Sequence, residues 1–205
     1  RNDDPESDVR VTGTTVSLGN DGQLLRQDGG PVDLTDLHVE ANGSNSLHPV
    51  IVRPGREAVV RDLDVRNGGI VFDNSGDLRV LGMDADEVDG LLRQSSGSAR
   101  LVDVSATGSM PTAIHVDAGE VEVYGAVLEN ADTFLSQLDG TAEVDGLVLD
   151  SGMVAFQPSG ISLDVTNARL GNLAHHVCHE FPVRVDHRNP SSPAYIAHHH
   201  VLNKR

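Results

Sequence analysis

Apolar and polar residues alternate along this chain in short bursts of one form: apolar–x–apolar–x–(Gly/Asp/Asn)–small or apolar–x–apolar. Eight copies begin at Val9, Val32, Ala58, Leu78, Ala99, Val121, Ala142 and Leu163. They read VRVTGTTV, VDLTDLHV, AVVRDLDV, LRVLGMDA, ARLVDVSA, VEVYGAVL, AEVDGLVL and LDVTNARL. Successive starts lie 23, 26, 20, 21, 22, 21 and 21 residues apart. Period-two alternation predicts half-buried strands, with Ala58, Val60 and Leu63 inward and Val59 and Arg61 outward in the third copy. The fifth position is Gly13, Asp36, Asp62, Gly82, Asp103, Gly125, Gly146 or Asn167. These residue types accept positive φ or bond their own backbone, so each copy is expected to bend there. A helical stripe would not place β-branched residues two apart around a turn residue.

A second, shorter apolar run ending in glycine follows each phrase, as in GGIVFDNSG (68–76), GLLRQSSG (90–97) and FLSQLDG (134–140). One repeat therefore reads strand, bend, strand, loop, strand, glycine turn. A period in this range marks a stacked array, because no unit of that size buries its apolar face alone. With rungs at about 4.8 Å, eight coils make a rod roughly 40 Å long.

The pattern resembles the right-handed parallel β-helix of the pectate-lyase-like superfamily, viral-spike or surface-protein type, over roughly residues 9–186. The expected fold is all-β: a right-handed parallel β-helix solenoid of about eight coils, period about 22 residues, with a C-terminal cap or tail. Residues 1–8 are expected to form a flexible acidic lead-in, and 187–205 a cap over the last coil or a docking tail. FPVRVDH (181–187) reads as a partial ninth coil, Val185 falling 20 residues after Val165.

Charge changes the picture next. Acidic residues number 31 and basic ones 15, for a net charge of −16, and Lys204 is the only lysine. Such a surface looks like that of proteins from salt-loving microbes, where salt screens carboxylate repulsion. It argues against nucleic acid as a partner, since no basic stripe is present for phosphate. No apolar run approaches the length of a membrane span. Cys178 is the single cysteine, so no intrachain disulfide forms.

The resemblance raises acidic-polysaccharide cleavage. Lyases of that superfamily use aspartate-held calcium with a basic residue, and its hydrolases use clustered aspartates. Asp36, Asp62 and Asp103 stack at equivalent bends, and Asp62 and Asp64 stand beside Arg61 and Arg66. Interchange of these aspartates with glycine and asparagine favours a bend role, and no catalytic residue is assigned. The insert 41–57 is the longest departure from the repeat. Its Asn42, Asn45, His48, Arg53 and Arg56 are the candidate ligand contacts, able to bond hydroxyls and carboxylates. Seven of the ten histidines follow residue 174, and His175, His176, Cys178 and His179 are candidate ligands for a transition metal. That metal, or Ca2+ at the aspartates, is the cofactor these residue types would hold.

The function expected is a non-enzymatic structural or recognition module of a virion appendage (tail-spike type) or secreted surface protein from a halophilic host. It would work outside the cell, at the cell surface or on a virion, binding a surface glycan or a neighbouring protein, and would suit a homo-oligomer. The alternative is an acidic-polysaccharide lyase or hydrolase, or its binding domain, using aspartates on the β-helix.

Overall fold

A computed structural model of the chain describes residues 8–19, 23–41, 50–158, 162–177 and 184–186. Its strands in order are β1 Val9–Leu18, β2 Leu25–Gln27, β3 Val32–Ala41, β4 Val50–Val52, β5 Glu57–Arg66, β6 Ile70–Asn74, β7 Asp77–Asp86 and β8 Gly90–Gln94. There follow β9 Ser98–Ala106, β10 Ile114–Val116, β11 Glu120–Leu128, β12 Thr133–Gln137, β13 Thr141–Pro158, β14 Ser162–Thr166, β15 Arg169–Val177 and β16 Arg184–Asp186. Long strands carry the phrases and short strands the glycine-ended runs, and each pairs in parallel with its equivalent one coil away. Among the described residues no helix is long and apolar enough to cross a membrane.

The repeat reads directly as register. The eight phrase starts form one column, Val9↔Val32↔Ala58↔Leu78↔Ala99↔Val121↔Ala142↔Leu163. Eight phrases thus bound about seven turns of a parallel β-solenoid with a period near 21 residues. The partial ninth coil is present as β16, where Val165 pairs with Val185. Residues 1–7 and 187–205 lie outside the described residues.

Every fifth-position residue has positive φ: 62° at Gly13, 54° at Asp36, 52° at Asp62, 82° at Gly82, 53° at Asp103, 68° at Gly125, 74° at Gly146 and 52° at Asn167. In the first seven copies pairing skips only this residue, passing for instance from Thr12↔Thr35 to Thr14↔Leu37, while in the eighth it skips Asn167 and Ala168. The expected bend is present in every copy; in the first seven a single strand runs through it as a stacked corner, and in the eighth β14 and β15 stand as two strands on either side of it. All corners sit at one height, so the ladder resumes at once on the far side. In the seventh coil the expected loop is also missing, since β13 runs straight from the phrase into the short strand.

The inward positions fill one continuous core. Val60, Val65, Val80 and Leu101 are wholly buried, and Phe72, Phe134 and Phe156 supply its largest side chains. Phe134 and Phe156 meet edge to face with centroids 5.8 Å apart.

Among the described residues four amides break the apolar rule. Gln27, Asn74, Gln94 and Gln137 end the short strands and are fully buried. They share a column with Val52 and Val116. Three of them act alike, each bonding the turn glycine of its own coil and the carbonyl that opens the phrase strand one coil further on. Gln27 Nε2 donates to Gly30 O (2.7 Å) and Glu57 O (2.6 Å). Asn74 Nδ2 donates to Gly76 O (3.2 Å) and Ser98 O (2.9 Å), and Gln137 Nε2 to Gly140 O (2.7 Å) and Ser162 O (3.2 Å). These bonds give the turn carbonyls a donor from the core side, and they tie one coil to the next.

Candidate recognition surface

Stacking turns each outward phrase position into a column of side chains along the rod. The second position of copies three to seven presents Val59, Arg79, Arg100, Glu122 and Glu143. The fourth presents Arg61, Leu81, Val102, Tyr124 and Asp145 beside it. Two arginines therefore sit on adjacent rungs, followed by two glutamates. Their edge borders a shallow groove of about 430 Å³ lined by Glu57, Asp77, Arg79, Ser98, Arg100, Glu120 and Glu122.

The arginines differ in their partners. Arg100 lies over the Tyr124 ring at 4.7 Å and reaches Glu122 at 3.4 Å. Stacking holds its planar fork in place, and a cation over an aromatic face is attractive. The Tyr124 hydroxyl donates to Glu143 at 3.2 Å. Burial first, then Glu122 and Glu143, push the phenol above its usual range, so it remains a protonated donor. Arg79 has no ion pair among the described residues, in a chain with twice as many acids as bases. Its rung neighbours are Val59 and Arg100, and like charges directly opposite on a sheet destabilise it. Leu81, beside it, is 38% exposed. Further along the same face, Thr166 and Asn167 each donate to Asp145 at 2.7 Å, which holds its carboxyl below the usual range.

A second groove, of about 320 Å³, lies at the corner of the first three coils and gathers Gly13, Thr14, Thr15, Asp36, Leu37, His38, Asp62 and Asp64. His38 Nδ1 lies 2.8 Å from Asp64 Oδ2, and Asp64 also meets Arg66 Nε at 3.4 Å. Among the described residues no group of three or more His, Cys, Asp or Glu side chains is placed to hold a metal.

The residues picked from the sequence fall elsewhere. Asn42, Asn45 and His48 lie outside the described residues, as do Cys178 and His179. His175 and His176 stand on β15, where His175 pairs with Val154. Arg53 is 3.6 Å from Asp28, which also meets Arg26 at 3.1 Å, so its charge is engaged within the fold. Arg56 donates its backbone N–H to Arg53 O at 3.1 Å, closing the turn that ends the insert. Sequence reasoning passed over Arg79, Arg100, Glu122 and Glu143, although all four occupy the second position of consecutive phrases. Reading that position down the copies would have shown the pattern.

No protein-family model, curated protein or solved structure matches this chain. The fold defines its class: an all-parallel β-solenoid.

Proposed function

We propose that the chain is a non-enzymatic structural and recognition rod, docking a neighbouring protein or a surface glycan through side chains on its flat outer faces. It fits the non-catalytic side of the pectate-lyase-like β-helices, as part of a virion appendage or secreted surface protein. The acidic, nearly lysine-free composition supports a halophilic host. The observation that carries the reading is the outward face of copies four to six. There an arginine with no ion pair among the described residues, a stacked arginine and the half-exposed apolar residues Leu81 and Val102 adjoin on rigid strands. Side chains on strands are held more firmly than side chains on loops, as recognition requires.

The His38–Asp64 pair favours the second reading, cleavage of an acidic polysaccharide, because a carboxylate-oriented imidazole beside two further aspartates suits proton transfer. Glycan arrays and polysaccharide digestion assays on the same preparation, in molar potassium chloride with and without calcium, separate the two. Binding without product release is expected. Turnover that vanishes in His38→Ala would establish the enzyme instead.

A further inference from the structure

We infer that the partner docked on the central outer face is a second copy of this chain, lying antiparallel about a two-fold axis. The inference rests on the docking role proposed above and names its occupant. A two-fold contact is self-complementary: whatever residue i meets, its counterpart meets i in return. With the axis along the strand direction between the Arg100 and Glu122 rungs, each outward column faces itself in reverse order. Arg100 then meets Glu122 of the partner subunit and Arg79 meets Glu143 of the partner subunit, each twice per dimer.

The second-position column is thus antisymmetric in charge about that axis, two arginines followed by two glutamates. Arg79, which has no ion pair among the described residues, acquires one. In the fourth-position column Val102 meets Tyr124 of the partner subunit, giving the contact an apolar centre, while Leu81 meets Asp145 of the partner subunit. The residues just before the phrase add no like-charge contact, since Ser98 meets Glu120 and Asp77 meets Thr141. Register is specified sharply. A half-rung shift of the axis lays Arg100 or Glu122 on itself, and a full rung sets Arg79 against Arg100 or Glu122 against Glu143.

The face is large enough. About that axis the facing rungs run from the second phrase to the partial ninth coil, and eight rungs by five residues span about 38 by 16 Å, or about 600 Å² per copy and 1,200 Å² in total, the lower bound for a stable protein contact. Local complementarity of this kind is also what two chains of charge −16 need in order to associate.

A charge swap tests the inference. Arg79→Glu/Arg100→Glu makes the column wholly acidic, and Glu122→Arg/Glu143→Arg makes it wholly basic. Masses are read by light scattering during size exclusion of the full chain in about 0.15 M salt, where charges act over about 8 Å. Circular dichroism confirms that each variant is folded. The wild type is expected at twice its 21.8 kDa chain mass. Each variant alone is expected as a monomer, with dimer affinity down tenfold or more, and their equimolar mixture as a dimer. A dimer that survives both variants, or a mixture that stays monomeric, overturns the inference. A monomeric wild type that binds array glycans through this face overturns the dimer and leaves the docking role standing. A monomeric wild type with polysaccharide turnover overturns both.

Discussion

Gly140→Ala is expected to cost about 4 kcal/mol, a large share of the roughly 5–15 kcal/mol that holds a domain folded. The glycine has φ of 86°, where an L side chain is strained by about 1–2 kcal/mol. Strain is the smaller part. A methyl at Gly140 would overlap the carbonyl oxygen of Gly119 one coil below, the same oxygen that accepts the Thr141 N–H at 2.9 Å. Gly119 stands in the same relation to Gly97, and Gly97 to Gly76, so the turns form a column of glycines in backbone contact. The coil would have to separate and surrender that bond. Gly55→Ala isolates the strain, because Gly55 has φ of 69° and open space around it. Urea denaturation followed by circular dichroism should rank Gly140→Ala about 2 kcal/mol or more below Gly55→Ala. Equal losses would show that the glycine column carries no packing role.

Asn74→Val is expected to cost about 3 kcal/mol even though valine fits, since Val52 occupies the same column on the preceding coil. Shape is preserved and polarity lost. The Gly76 N–H loses the Asn74 Oδ1 acceptor at 3.1 Å, while Ser98 O and Gln94 Oε1 lose donors at 2.9 and 2.7 Å. Buried groups left without partners keep their full desolvation penalty, which exceeds the apolar gain. Stability in a solenoid is a sum over neighbouring coils, so the loss should appear as early opening around 74–98. Hydrogen exchange of the Gly76 and Ser98 amides measures it, and unchanged protection would contradict the role given to the amide.

The architecture was legible because two periods coincide in the sequence. Alternation marks the inward residues, and the fifth position marks the corner, so Val9 and Val32 through to Leu163 could be stacked before any contact was known. Even the fragment at Val185 fell into register on spacing alone. The buried amides were not legible: Gln27, Asn74, Gln94 and Gln137 precede glycine turns, and a polar residue there reads as surface loop. Nothing local says that the carbonyls two or three residues later turn inward. The proposed recognition face was hidden for a different reason. Arg79 and Glu143 lie 64 residues apart, and their relation exists only once whole rungs are laid side by side. Residue-type clustering drew attention to the histidine-rich stretch and the 41–57 insert, whereas the face draws on one residue per coil.

The central claim is that the repeat builds the rod while the outward columns carry recognition. It is tested most directly by Asp36→Gly/Asp62→Gly/Asp103→Gly. Glycine already serves at four of the eight corners, and stacks on itself at Gly125 and Gly146. The triple variant should therefore melt within a few degrees of the wild type and keep its association through Arg79 and Arg100. Calcium should shift neither melting curve. A calcium-dependent rise in the wild-type melting temperature that disappears in the variant, or a loss of binding with the fold intact, would contradict the account by making the corner aspartates the site.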